Sequence, residues 1–252
     1  MEFPNDLLRC FSPQAKVVYL PVTASTNDAA HDPALRHGDL VLAERQESGR
    51  GQQGNIWDSE PGQNLTFSLM LEPKFLPADR QFRLLEAVSL GVTDALTGFG
   101  LSPCIKWPND ILIGGRKVAG ILIEHDLRGM KLVRSIVGIG LNVNQEVFPS
   151  EIPAPVSMVQ ATGRLFDRAE VLGSLCRCIC DRYRSLEQDE ADRLDAAYHA
   201  LLHRLNEPAP YRTPEEGSFT GILRRVGSSG ELYVEHPGGE VKSYLFKGIE
   251  FL

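Results

Sequence analysis

Gly49-Arg50-Gly51-Gln52-Gln53-Gly54-Asn55-Ile56-Trp57 satisfies the spacing G-x-G-x-x-G, and the residues after it decide the fold. A dinucleotide-binding βαβ unit needs a helix to open directly after such a loop, so that the helix N-terminus meets a pyrophosphate. Here the chain runs on through Asp58-Ser59-Glu60-Pro61-Gly62-Gln63, which cannot sustain a helix, and no Gly-Lys-Ser/Thr follows to make a P-loop. A doubly wound sheet is excluded, although an extended run (Asp39 to Glu44) precedes the loop. The loop still suits phosphate. Glycines let a backbone come close to it, and Arg50 can neutralise its charge.

Outward from the loop, Lys106-Trp107-Pro108-Asn109-Asp110 sets a lysine and a rigid Trp-Pro turn at the end of an extended piece, Cys104 to Trp107. Asp110 to Ile113 is a second short strand. Gly114-Gly115 then turns tightly into Lys117 to Glu124, because both positions tolerate positive φ. Val17 to Val22 reads as the first strand, followed by capping residues at Thr23 to Asp28 and a short helix toward Arg36. Pro33 breaks or delays that helix, and Gly38 stops it. Asn64 to Leu71 alternates as a strand. Phe82, Leu85, Val88, Val92, Ala95 and Phe99 recur at three- and four-residue steps and predict a core-facing helix over Asp79 to Phe99. Met130 to Asn144 reads as a long central strand.

Two amphipathic helices follow, one with Leu172, Leu175, Cys176, Ile179, Tyr183 and Leu186 on its face, the other with Leu194, Ala197, Tyr198, Leu201 and Leu205. From Asn206 the texture changes to short β runs (Gly217 to Val226, Glu231 to Glu235, Val241 to Phe246) joined by tight turns, as in a small β-barrel. The expected architecture is α+β: a mixed β-sheet with packed helices over residues 1–205, then an all-β module over residues 206–252.

Composition bounds what such a chain does. Charge of −7 over 252 residues argues against a broad nucleic-acid-binding surface while leaving room for a local cationic pocket. No apolar run is long enough to span a bilayer, and Met1 to Asp6 begins acidic, unlike a signal peptide, so the cytoplasm is the expected compartment. An odd count of five cysteines does not make a disulfide framework, and Cys176, Cys178 and Cys180 have poor metal geometry on a helix, so they read as core filler. His199 and His203 lie four apart on a helix without a third ligand nearby.

Several residues carry two readings. Ser25-Thr26-Asn27 caps a helix or forms a hydrogen-bonding cup for a small polar head group, and both can hold at once. Trp57 and Trp107 are core or loop anchors before they are stacking platforms. Lys117 is a solvated strand lysine or, directly after the hairpin, a neighbour of the lysine turn. Arg50, Lys106 and the Gly138-x-Gly140-x-Asn142 segment each follow or end a strand, where loops collect into a site.

With these residues in hand the chain resembles the biotin protein ligases over nearly its whole length. Ser25-Thr26-Asn27 is similar to that family's STN element, and Glu44-Arg45-Gln46 with Gly49 to Trp57 to its GRGxxGxxW loop. Lys106 to Asp110 is similar to KWPND, Lys117 to Glu124 to K-x-x-G-I-L-x-E, and Gly138 to Asn144 to GxGxNxN. The resemblance implies a class II synthetase-like catalytic fold, the biotin–lipoate ligase type, followed by an SH3-like domain. Only 24 residues precede Ser25, so the winged helix-turn-helix of bifunctional members is not expected, nor is nucleic-acid or membrane binding. A homodimer is left open.

The activity implied is ATP-dependent: biotin becomes biotinyl-5′-AMP, then passes to a lysine of a biotin carboxyl carrier protein domain. Lys106 and Arg50 are the expected catalytic groups, Lys106 bridging the biotin carboxylate and the α-phosphate. Ser25, Thr26, Asn27 and Gln46 would read the ureido ring, with Trp57, Gly120 and Leu122 as the apolar slot. Arg50, Gly51, Gln52, Trp57, Lys106, Asn109, Lys117 and Asn142 would hold the nucleotide. Asp110 would orient Lys106 or bind Mg²⁺, which is expected with ATP mainly on phosphates and waters. Gln52, Gln53 and Asn55 stand where some members have arginines, which bears on how long the adenylate is retained. A lipoate–protein ligase or octanoyltransferase is the nearest rival, and a non-catalytic biotin or nucleotide sensor the rival of another class.

Overall fold

In a computed structural model, which describes residues 5–54 and 56–252, Val17–Thr23 (β1) runs parallel to Leu40–Gln46 (β2) at one edge of a seven-stranded sheet. Leu65–Leu71 (β3), Pro103–Lys106 (β4), Asp110–Ile113 (β5), Arg116–Arg128 (β6) and Lys131–Leu141 (β7) complete it in the order β1-β2-β3-β7-β6-β5-β4. All of these other pairings are antiparallel. The predicted hairpin is present, with Gly114 and Gly115 both at positive φ. Every residue of β3 is buried. Its alternation sorts the two faces of the sheet and does not separate core from solvent.

One face is apolar. Phe67, Ile139 and Ile121 lie opposite one another across β3, β7 and β6 and belong to the main core. Over them pack Phe82–Gly98 (α2) and, after the short Met158–Thr162 (α3), Arg168–Glu187 (α4) and Ala191–Ala200 (α5). At Gly91 of α2 an added Cβ would lie 2.6 Å from the Ile179 Cα, so only glycine admits α4 this closely. Cys176 and Cys180 are buried free thiols on the inner side of α4.

The opposite face carries one register row, Thr66–Gly140–Gly120–Asp110–Lys106, running across β3, β7, β6, β5 and β4. A second row, Ser68–Gly138–Leu122, lies beside it. The first helix is shorter than predicted: Thr26–Ala29 (α1) is a single turn. Pro33 cannot donate a helical hydrogen bond and disfavours helix at Asp32, so the chain crosses to β2 in turns.

A second sheet begins at Pro208, built of Pro208–Thr213 (β8), Gly217–Val226 (β9), Leu232–Glu235 (β10), Val241–Tyr244 (β11) and Glu250–Phe251 (β12), in the order β11-β10-β9-β8-β12. It is antiparallel throughout, an SH3-like module. Trp107 joins it to the larger sheet. Its ring lies 5.2 Å from that of Phe246 and 6.4 Å from that of Phe251, and its Nε1 donates to the Gly230 carbonyl at 3.0 Å.

Glu86 of α2 is wholly buried beside Tyr198 of α5, and its Oε2 accepts from Arg83 at 2.8 Å while Oε1 has no partner. Burial first of all, with Asp195 adding to it, raises its pKa to about 7 against the lowering pull of Arg83. An ordinary glutamate sits near about 4.3. The folded chain therefore holds a proton here that the unfolded chain gives up, so stability falls as pH rises from about 4 to about 7 and then levels off. Glu86→Gln should remove roughly 2–3 kcal/mol of that fall. Urea melts of parent and variant at pH 5 and pH 8 would show the variant gaining relative to the parent only at pH 8. Equal gains at both values would refute the assignment.

Candidate functional site

The first register row, with Gly138 and Leu122 of the second, forms the floor of a cavity of about 880 Å³, a size suited to a drug-sized or nucleotide ligand. Three of its floor residues are glycines, each for a steric reason. At Gly140 a Cβ would fall 2.1 Å from Trp57 Cε2, at Gly120 3.2 Å from Trp57 Cζ3, and at Gly138 2.2 Å from Asn27 Oδ1. The tryptophan ring and the asparagine amide thus lie directly on the sheet.

Trp57 arrives there because the glycine loop closes as a hairpin and not as the start of a helix. Trp57 N–H donates to the Gly49 carbonyl at 3.0 Å, Arg50 and Ile56 form an isolated antiparallel bridge, and Gln52–Gly54 makes one 3₁₀ turn. A Cβ at Gly49 would come 2.3 Å from the Trp57 carbonyl oxygen, so this crossing also requires glycine. Trp57 Nε1 is buried against the sheet at Gly140 and has no partner among the described residues. Asn55 lies outside the described residues.

At the far end of the floor the Ser25-Thr26-Asn27 element forms a cup. Ser25 stands at the N-cap of α1, yet its hydroxyl makes no capping bond, which removes the purely structural reading of that residue. Gln46 Oε1 accepts from Thr26 N at 2.7 Å and Thr26 Oγ1 at 3.1 Å. Ser68 Oγ lies 2.8 Å from Thr26 Oγ1 and 2.6 Å from Asn27 Oδ1. Asn27 Nδ2 donates to Glu124 Oε2 at 2.8 Å. Asn27 lines the cavity, but both ends of its amide are engaged within the protein. The Ser25 hydroxyl and the Gln46 amide nitrogen are the groups left for a polar ligand, and Thr26 Oγ1, already donating to Gln46 and accepting from Ser68, keeps one acceptor lone pair.

The cationic groups differ in where they sit. Lys117 Nζ forms a 2.6 Å ion pair with Asp110 and stands 5.7 Å from the Trp57 ring, close over Gly120. Asp110 therefore orients Lys117, where the sequence reading had it orient Lys106 or hold a metal. Lys106 Nζ lies over the Phe251 ring at 5.6 Å, on the side of the second sheet. Near it, His203 has its pKa lowered by burial and then by Arg204 and Lys106. Arg50 Nη2 is paired with Asp28 at 2.7 Å and Glu124 at 3.0 Å.

Of the residues singled out from sequence, Ser25, Thr26, Asn27, Gln46, Arg50, Gly51, Gln52, Trp57, Lys106, Asn109, Asp110, Lys117, Gly120 and Leu122 all line this cavity. Asn142 does not. It is buried, its Nδ2 donates to the Val156 carbonyl at 3.1 Å, and its backbone is tied to Val118 and Met158. Just past the end of β7 it faces away from the floor and braces the following loop. Asn109 reaches the wall while its Nδ2 donates to the Ile121 carbonyl at 2.7 Å.

The sequence reading missed two groups. Arg212, Thr213, Pro214, Lys247, Ile249, Glu250 and Phe251 of the second sheet close one side of the cavity, and no local pattern announces a contact made across a module boundary. Thr66 and Ser68 were legible in principle, as polar residues at a two-residue step inside an apolar strand. With Arg212 and Lys247 the lining holds five cations against two carboxylates, Asp110 and Glu250. The local field is positive in a chain of net charge −7. Among the described residues no three His, Cys, Asp or Glu side chains are grouped to hold a metal, and no helix is long and apolar enough to cross a membrane.

Residues 19–142 match the biotin/lipoate A/B protein ligase family. The biotin–[acetyl-CoA-carboxylase] ligase of Paracoccus denitrificans is 35% identical, over 86% of this chain and 93% of the relative. The bifunctional ligase/repressor of Bacillus subtilis is 34% identical, over 90% of this chain and 72% of its own length. Among solved structures, the biotin protein ligase of Aquifex aeolicus in complex with biotin and ATP superposes with a TM-score of 0.78 at 29% identity, covering 93% of this chain and 97% of that one.

Proposed function

The chain belongs to the biotin/lipoate A/B protein ligase family, and we infer from that premise that its cavity joins biotin to ATP and then delivers biotin to a lysine of a carboxyl carrier protein. In the first step a biotin carboxylate oxygen bonds to the α-phosphorus and pyrophosphate leaves, giving biotinyl-5′-AMP. In the second the acceptor amine bonds to the acyl carbon, loses a proton, and AMP leaves. One observation carries the assignment of roles: the polar cup, the glycine floor under Trp57, and the Lys117–Asp110 pair follow one another along a single cavity.

The ureido ring lies in the cup of Ser25, Thr26 and Gln46, and the thiophene and valeryl chain run over the floor between Trp57, Gly120 and Leu122. That path brings the carboxylate toward Lys117, whose ammonium meets the α-phosphate, a point charge suited to phosphate. Lys106, Arg212 and Lys247 stand on the side where pyrophosphate would leave. Arg50 closes the loop over the adenylate, keeping the mixed anhydride from water. Mg²⁺ would arrive on the nucleotide phosphates, since the only carboxylate of the floor row, Asp110, is held by Lys117.

Incubating the purified chain with biotin, ATP and Mg²⁺ should release pyrophosphate, and a biotin carboxyl carrier domain should become labelled. Lipoate in place of biotin should give little pyrophosphate, because the cup is built to pair with a polar ring. Equal turnover with lipoate would favour the rival ligase. Biotin binding without pyrophosphate release would favour a sensor.

A further inference from the structure

We propose that Glu124 is a positioning residue that ties the polar cup to the loop arginine. Its carboxylate does not line the cavity, yet its Oε2 accepts from Asn27 Nδ2 at 2.8 Å and from Arg50 Nη2 at 3.0 Å. Through Asn27 the connection continues to Ser68, Thr26 and Gln46, and through Arg50 it reaches the loop that carries Trp57. One oxygen is thus shared by the cup and the loop where they meet, at the cup end of the floor.

Geometry makes the sharing specific. Asn27 can lie flat on the sheet only because Gly138 lacks a side chain, and its Oδ1 is already taken by Ser68. Its amide nitrogen has the Leu122 carbonyl as a long second acceptor at 3.5 Å, so Glu124 sets its direction. Arg50 has a second carboxylate partner in Asp28, whose side chain is half exposed, whereas that of Glu124 is 28% exposed. His31 also faces this carboxylate, with Nε2 3.9 Å from the same oxygen. Asp28 makes the shorter contact, at 2.7 Å, but Glu124 is the less solvent-screened of the two partners and the one that also holds Asn27, so it fixes Arg50 relative to the cup.

The proposal rests on the ligase reading above. Glu124→Ala should raise the KM for biotin about tenfold, by loosening Asn27, and lower kcat for adenylation about tenfold, by releasing Arg50. Glu124→Gln keeps an oxygen for the Asn27 amide but only a neutral acceptor for the guanidinium. It should restore the biotin KM to within about threefold of the parent and leave kcat depressed about tenfold. On an Arg50→Ala background Glu124→Gln should lower kcat no further. Steady-state pyrophosphate release with the full chain reads all of these constants. Parental constants in Glu124→Ala would overturn the proposal, as would a Gln variant matching the Ala variant in both constants, or additive losses with Arg50→Ala. A parent chain releasing no pyrophosphate would sink the ligase reading instead.

Discussion

Lys117→Ala is expected to slow biotinyl-5′-AMP formation about a thousandfold while leaving biotin binding within about threefold. Its ammonium is the cation directly over the glycine floor, beside Trp57 and fixed by Asp110. As the carboxylate attacks, charge gathers on the α-phosphate oxygens, and a preorganised cation there acts in the transition state more than in the ground state. Losing one such group in a water-excluded site costs on the order of a hundred- to a thousandfold. The upper figure is expected because the substitution also leaves Asp110 unpaired and facing an anion. Lys106→Ala is the discriminating control. Lys106 sits against Phe251 on the side of the second sheet, so its loss should raise the KM for ATP about tenfold with a smaller effect on kcat. Single-turnover pyrophosphate release at saturating biotin over a series of ATP concentrations measures both. If Lys106→Ala proved the more damaging of the two to kcat, the roles would be reversed and the original sequence-based assignment restored.

Why Lys117 could not be placed over the floor from the sequence is itself physical. Strict alternation along β6 puts Gly120, Leu122 and Glu124 on the cavity face and would turn Lys117 to the other side. The structure breaks that alternation with a bulge: Ile111 faces Ala119 but Leu112 faces Lys117, leaving Val118 unopposed. A bulge re-aims side chains, and nothing in Lys117-Val118-Ala119 marks where it falls. The Gly49–Trp57 loop was easier to read, because its glycines and the non-helical residues after it are local facts. So were α2 and the Gly114-Gly115 turn, which rest on periodicity and positive φ. β8 was missed because Pro208 and Pro210 argue against a strand. It lies next to the edge of its sheet, beside the two-residue β12, and both prolines are exposed. Asn142 was misread for another reason. Its motif partners Gly138 and Gly140 do face the cavity, but β7 ends at Leu141, and the chain turns before Asn142 can follow them.

Gly140→Ala is the second large expectation, and it tests the floor without touching a charged group. The new Cβ would sit 2.1 Å from Trp57 Cε2 and 2.5 Å from both Cζ2 and Nε1. One side must give way. Gly140 is paired on both flanks, to Thr66 and to Gly120, in the middle of the sheet, whereas Trp57 hangs from a surface hairpin held by the Gly49 carbonyl and the Arg50–Ile56 bridge. The tryptophan moves. Displacing it strips the apolar wall from the slot and opens the loop above the adenylate, so the KM for biotin should rise about a hundredfold, the scale of losing one aromatic anchor. Retention of the adenylate should fall in parallel, seen as faster loss of bound biotinyl-5′-AMP to hydrolysis. Global stability should change by less than about 1 kcal/mol, because the displaced ring belongs to a loop and the core face of β7 is untouched. Gly98→Ala, at a helix end with nothing within 4 Å of the new carbon, should leave all three quantities parental. A Gly140→Ala enzyme with parental biotin KM would show that Trp57 does not rest on this floor. One that unfolds would show that the sheet yields before the tryptophan does.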